Sequence, residues 1–198
     1  DANQVSAAIA ASRRELGRFM PWAHVPQTPL DQLERLRQGE ADYYAGRDLV
    51  MGLFRGATML AMVGLHPRVP LNPRGLEVGD WAPTAHAGQG FTTLAVQIAT
   101  LYAFDHLECD RLQVSHDAAN RASERVIEKV GFVREGVLRN LVARPTEELR
   151  ARGLTHSGMH PLYALWPELI GDLPWAKDLR QRLRYENLAG YMLATRSD

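Results

Sequence analysis

The stretch Gly75-Leu76-Glu77-Val78-Gly79-Asp80-Trp81-Ala82-Pro83, continuing through Thr84-Ala85-His86-Ala87-Gly88-Gln89-Gly90 into Phe91-Thr92-Thr93-Leu94, decides the fold. Its first part reads as a strand from Gly75 to Ala82, stopped by Pro83, which has no N–H to give to a ladder. Its last part opens a helix in which Phe91, Leu94, Ala95, Ile98 and Tyr102 recur at the spacing of one buried face. Between them, glycines at the helix start let backbone N–H groups face outward with no Cβ in the way. The helix dipole adds partial positive charge there, so the turn can receive a phosphate. The pattern is neither G-x-x-x-x-G-K-[ST] nor a complete G-x-G-x-x-G, which removes the P-loop and Rossmann readings.

Upstream, residues 48–54 and 58–66 are rich in Val, Leu, Met and Phe and flank Arg55-Gly56-Ala57, the pattern of an antiparallel hairpin. Residues 3–17 read as a first helix. Thr28-Pro29-Leu30-Asp31 starts a second, running to about Tyr44, with a hydroxyl cap, a proline at the first helical position and an acid in the first turn. Phe19-Met20-Pro21-Trp22 lies between them, its aromatics either core plugs or a substrate wall. Downstream come a strand from Arg111 to Ser115 and a helix opened by Asn120 and closed by Gly131. A strand from Phe132 to Leu141, a short helix over 145–152 and a strand from Pro161 to Leu165 follow. This alternation predicts an α/β mixed sheet containing at least one parallel pair. Residues 166–198 read as a helical extension to a main domain spanning 1–165.

The chain has 198 residues with 23 basic and 23 acidic side chains, which argues against a polycationic nucleic-acid binder. No apolar run approaches the roughly 18 residues that span a bilayer, and the start lacks the order of a signal peptide. Cys109 is the only cysteine, so the chain has no internal disulfide and no thiolate cluster. A cytoplasmic location is the expectation, with no membrane partner. The chain begins with Asp rather than Met in an already helical pattern, which reads as a fragment edge.

Asn120-Arg121-Ala122-Ser123, Glu128-Lys129-Val130-Gly131-Phe132 and Glu135-Gly136-Val137-Leu138-Arg139 follow the glycine turn at about 30 residues' distance. With Leu76-Glu77-Val78-Gly79-Asp80-Trp81 and Gly88-x-Gly90, these segments resemble the GNAT superfamily of acyl-CoA-dependent N-acyltransferases, in its RimJ/RimL-like branch. The likeness is firm from Asp48 to Arg139 and reaches back more weakly to Glu15-Leu16 and Met20-Pro21-Trp22. It implies that two central parallel strands, Gly75 to Ala82 and Arg111 to Ser115, splay apart. The pantetheine arm of acetyl-CoA would lie in that gap like an extra strand. It further implies a pyrophosphate on the amides of Ala87, Gly88, Gln89, Gly90 and Phe91, hydroxyl contacts from Thr92 and Thr93, and Asn120 and Ser123 beside the pantetheine and thiol. A strand ahead of the first helix is also implied. Three positions depart from the family: Ala85 stands where Arg or Gln is usual, Leu94 where this branch often has Glu, and Ile127 where many members have a thiol-protonating Tyr.

Acetyl transfer to an amine needs the neutral amine, a held oxyanion and a leaving thiolate. Deprotonating a lysine amine, pKa about 10.4, costs about 4.6 kcal/mol at neutral pH, whereas an α-amine near 7.7 to 8 costs only about 1 to 1.4. A site with few base candidates therefore suits an α-amine. Glu77 is the candidate base acting through water, Ser123 the candidate donor to the departing sulfur, and the backbone N–H of Trp81 or Ala82 the candidate oxyanion donor. The expected acceptor is a protein N-terminus. The alternatives are a small-molecule amine, or a silent acyl-CoA-binding module suggested by Leu94, Ile127 and Ala85. No metal is expected: His156 and His160 stand four apart, but Gly158 and Pro161 argue against the helix that would align them. His86 reads as a loop residue. The basic residues Lys177, Arg180, Arg182 and Arg184 read as a solvated helix face, and Trp166 and Trp175 as core cover or a homodimer contact.

Overall fold

The coordinates are a computed structural model, which describes residues 2–188 and 191–196. The chain opens with helices α1 (Ala2–Leu16) and α2 (Pro29–Tyr44), joined through one 3-10 turn over Pro21–His24. Thr28 caps α2 as expected: its side chain accepts from Asp31 N while the Asp31 carboxylate accepts from Thr28 N at 2.7 Å. The hairpin follows as β1 (Leu49–Arg55) and β2 (Thr58–His66), then β3 (Gly75–Trp81), α3 (Phe91–His106), β4 (Arg111–Ser115) and α4 (Arg121–Val130). β5 (Val133–Arg139), α5 (Glu147–Ala151), β6 (Met159–Leu165), α6 (Pro167–Ile170) and α7 (Pro174–Arg182) complete the main body.

Six strands form one sheet in the order β1-β2-β3-β4-β6-β5, antiparallel except for the β3–β4 pair. That pair registers over only three positions, Gly75↔Arg111, Leu76↔Leu112 and Glu77↔Gln113. Beyond Glu77, β3 continues to Trp81 paired only with β2, so the sheet opens between its central strands.

Helices α1 and α2 lie on one face, where Val5, Ile9 and Met59 form a small cluster with Trp22 and Trp81 against it. Trp22 meets Trp81 edge to face, ring centroids 5.9 Å apart, so this aromatic plugs a core at the very end of β3. The other face carries the main core: Leu65, Leu112, Val114 and Leu165 from the sheet pack against α3 and α4. The single predicted stripe on α3 is too narrow. Val96, Thr100, Leu101 and Ala103 are buried too, because α4 and α7 cover the flank of α3 turned away from the sheet. Cys109 is buried at the end of the α3–β4 connection, its thiol donating to Arg111 O at 3.1 Å, and burial pushes its pKa up.

The helical reading of 166–198 holds only through Arg182. Leu183–Leu188 and Tyr191–Arg196 pair as a separate antiparallel ribbon, β7 and β8. The start of this extension also belongs to the core: Ala176 and Leu179 are buried against it, and Trp175 packs there and donates to Val130 O at 3.0 Å. Trp175 is therefore core cover. Residues 1, 189, 190, 197 and 198 lie outside the described residues. Among the described residues no helix is long and apolar enough to cross a membrane.

Candidate active site

The glycine turn sits just past the open end of β3. Gly88 and Gly90 hold φ of 76° and 87°, in the left-handed region, and Gly90 caps α3. A Cβ built at either position meets nothing within 4 Å, so conformation rather than crowding demands glycine there. The amides of Gly88, Gln89 and Gly90 have no partner among the described residues, and the first helical hydrogen bond is Leu94 N to Gly90 O at 3.0 Å. The first turn of α3, Phe91 to Thr93, adds amides that no preceding carbonyl of the helix can reach. This open ring of donors at a dipole's positive end fits a diphosphate. One expected donor drops out: Ala87 N is bonded to Thr84 O at 3.1 Å, closing the 3-10 turn over Thr84–His86.

Gln89 folds back, its Nε2 donating to Ala85 O at 3.0 Å, which leaves the mouth of the turn clear. A cation stands near the start of α3. The Arg55 guanidinium lies 5.2 Å from the centroid of the Phe91 ring, without a carboxylate partner among the described residues. The sequence placed Arg55 in the hairpin turn but offered no reason to bring it to the start of α3. The turn is also tied to the opposite face: Thr84 N donates to Ser12 Oγ of α1 at 2.9 Å.

Glu77 occupies the last paired position before the strands part, flanked by His66 on β2 and Gln113 on β4. Alternation turns it to the α1 side together with Gly79 and Trp81. His66 shares that face, and its Nδ1 lies 2.6 Å from Asp48 Oδ1. Its Nε2 would lie 3.3 Å from a Cβ at Gly79, so the two glycines at 64 and 79 make room for the imidazole beside Glu77. An imidazole oriented by a carboxylate is a proton carrier with one nitrogen free to act. This pair was missed, although the predicted hairpin already sets residue 48 opposite residue 66.

Asp80 points to the opposite face from Glu77, half-buried, and desolvation raises its pKa to about 6. On the far side of the gap, Asn120 Oδ1 caps α4 by accepting from Ser123 N at 3.2 Å, leaving the amide nitrogen of Asn120 to donate elsewhere. Ser123 sits in the first turn, half-buried. Ile127 is 1% exposed in the core and cannot serve the thiol. His156 and His160 do meet, ring centroids 5.9 Å apart, but from a loop and a strand rather than a helix. Among the described residues no group of three or more His, Cys, Asp or Glu side chains is arranged to hold a metal ion. His86, expected in a loop, instead ends the 3-10 turn over Thr84–His86 and rests edge-on against Phe91, ring centroids 6.1 Å apart.

Comparison with known proteins agrees with this geometry. Residues 1–133 match the model of the acetyltransferase (GNAT) domain family. The chain is 27% identical over 161 residues to the "Putative ribosomal N-acetyltransferase YdaF" of Bacillus subtilis (strain 168), covering 81% of each protein. The fold is shared with the RimJ protein of Mycobacterium smegmatis in complex with a CoA disulfide, at TM-score 0.74 and 19% identity over 91% of this chain and 84% of that one. It is also shared with the ribosomal-protein-S5-alanine acetyltransferase of Vibrio fischeri, at TM-score 0.72 and 18% identity over 84% and 87%. An opened β3–β4 pair, a glycine turn with unpaired amides and a family match over two thirds of the sequence lead to one conclusion: this chain belongs to the GNAT family of acetyl-CoA-dependent N-acyltransferases.

Proposed function

We propose that the protein acetylates the α-amine of a polypeptide N-terminus by direct attack on acetyl-CoA in a ternary complex. The observation that carries this reading is the β3–β4 register ending at Glu77↔Gln113, with the partnerless amides of 88–90 just beyond it. The coenzyme would rest its diphosphate on those amides, with Phe91, Thr92 and Thr93 behind them and Arg55 at the side. Its pantetheine would run along the free edge of β3, past Trp81 and Ala82, whose N–H groups are the candidate oxyanion donors. Bound there, it supplies the activated acetyl group.

On the α1 face, Glu77 receives the amine proton through water. His66, held by Asp48, stands next to it as the second group able to take that proton. Ser123 and the Asn120 amide donate toward the departing sulfur, whose thiolate is a tolerable leaving group because thiols ionise near about 8.5. Two carboxylate-linked groups suffice for an α-amine and fall short for lysine, by the difference of about 3 kcal/mol in deprotonation cost. The ribosomal relatives, which are named for acetylating ribosomal proteins, favour the same acceptor class.

The test is coenzyme titration by calorimetry, followed by mass spectrometry of peptides with free α-amines, lysine-only peptides and small amines. Acetylation confined to α-amines is expected. Turnover only on small amines, or coenzyme binding with no turnover at all, overturns the reading.

A further inference from the structure

The loop between β5 and β6 borders an open-mouthed cavity of about 290 Å³, lined by Asn140, Arg144, Arg150, Leu154 and His156. Its frame is built rather than loose. Asn140, at φ 49°, donates its N–H to Gly158 O at 2.9 Å, His156 Nε2 lies 3.1 Å from Val142 O, and Thr146 caps α5. Two further bonds fix where the cavity sits. Ser157 N donates to Asp117 Oδ2 at 2.7 Å, and Asp117 O in turn accepts from Asn120 N at 2.7 Å, so the loop is anchored at the start of α4. Thr155 N donates to Arg18 O at 2.7 Å, tying the other wall to the end of α1.

Register puts the cavity on the same side of the sheet as Glu77. Glu77 pairs with Gln113, Gln113 with Ala164 and Ser115 with Leu162, so Gln113, Ser115, Leu162 and His160 share one face. His160 stands two residues from Leu162, and its ring meets that of His156 at the cavity wall, 5.9 Å between centroids. Ser115, two residues past Gln113, borders the gap in which the thioester would lie. One interstrand step of about 4.8 Å and two residues of strand rise at about 3.3 Å each lead from it to His160, and the cavity beyond that ring lies on the order of 12 Å from the gap. An extended polypeptide covers that distance in three or four residues, at about 3.3 to 3.6 Å each.

The cavity's charge is unbalanced. Arg144 and Arg150 are exposed on its rim and have no carboxylate partner among the described residues, while Glu148 of the same short helix is paired with Arg152 at 2.7 Å. Two guanidinium groups without an internal acid, beside the amide of Asn140, form a receptor for a carboxylate. We propose that this cavity receives an acidic side chain of the acceptor, so that the protein is selective for N-termini carrying Asp or Glu at the third or fourth residue. This rests on the polypeptide acceptor reading above.

The test uses two alanine hexapeptides with free α-amines, one with Glu at the third position and its twin with Gln there, and a second pair substituted at the fourth. The readout is the ratio of kcat/KM for each pair, followed by mass spectrometry. A preference of about tenfold for Glu in at least one pair is expected at low salt, falling toward unity in the double variant Arg144→Gln/Arg150→Gln and surviving in Arg144→Lys/Arg150→Lys. Melting curves check that the exposed substitutions leave the fold intact. Equal rates on all twins, or a preference that persists in the glutamine variant, overturn the carboxylate site and leave the acceptor reading standing. Failure to acetylate any of the four peptides, with coenzyme still bound, overturns both.

Discussion

The glycine turn at 84–93 and the loop at 140–158 stand at the same end of the sheet, yet they are made of different information. The turn works through its backbone: φ of 76° and 87°, free amides and a helix dipole. Backbone requirements leave marks in sequence, because only certain residues tolerate them, and glycines ahead of a helical pattern can be read directly. The loop works through side chains brought together from a strand end, a short helix and the irregular chain between them, and no local pattern announces such a meeting. The turn proposed to hold the coenzyme is therefore legible in the sequence, while the loop proposed to select an acceptor needs the fold.

The first and largest test of this contrast is a charge placed on the backbone site. Gly90→Asp adds both a strained left-handed residue and a carboxylate facing the diphosphate, and CoA affinity measured by calorimetry should fall at least about a hundredfold, or 2.7 kcal/mol. The same variant should leave the Glu-to-Gln peptide ratio untouched when assayed at saturating coenzyme. A changed ratio would mean the two regions are not separable.

Glu77→Gln should lower kcat by about a hundredfold with CoA affinity unchanged, consistent with loss of a general base. His66→Gln on top of it should lower the residual kcat further, since the Asp48-held imidazole is the remaining proton carrier on that face; an unchanged residual rate would remove His66 from the site.

Asp80 gives a stability test on the coenzyme side. Its folded pKa, about 6, lies above its unfolded value of 3.8, so the native state binds the proton more tightly and loses stability as pH rises from about 4 to 6. Above pH 6 the full cost stands, about 3 kcal/mol for a shift of roughly two units. Asp80→Asn should therefore stabilise the protein by about 2 to 3 kcal/mol at pH 8 in urea denaturation and by nearly nothing at pH 4. An equal effect at both pH values would show that the carboxylate is not desolvated.

The smallest expected effect is at Arg55. Removing this exposed cation as Arg55→Ala should raise the CoA dissociation constant about three- to fivefold at low salt, with the difference shrinking as ionic strength rises.

Much of the fold could be read because its signals are local. The Thr28 box, the Asn120 cap, the Gly131 closure and the Gly56 hairpin turn each fixed a boundary by a demand on backbone hydrogen bonds. What escaped was set at a distance. The burial of α3 on its outer flank depends on α7, some 75 residues later, and the strand pairing after Arg182 depends on a partner rather than on composition. In the candidate site, Glu77 is proposed from strand alternation and the family resemblance, Asn120 and Ser123 from the resemblance, and Gly88 and Gly90 from the demands of a turn at a helix start. Arg55 and the Asp48–His66 pair needed the register of β1 and β2, and Ala87 was misjudged because its amide is consumed by the 3-10 turn that precedes it.

The concealed sulfhydryl of Cys109 has a practical side. With no other sulfur nucleophile in the chain and this one sealed in the interior, the thioester has no internal rival for its acyl group, and a dye that reacts with free sulfhydryls reports released coenzyme alone while the protein stays folded. One additional equivalent of dye reacting per chain would then mark unfolding, so a single reagent can follow both turnover and denaturation.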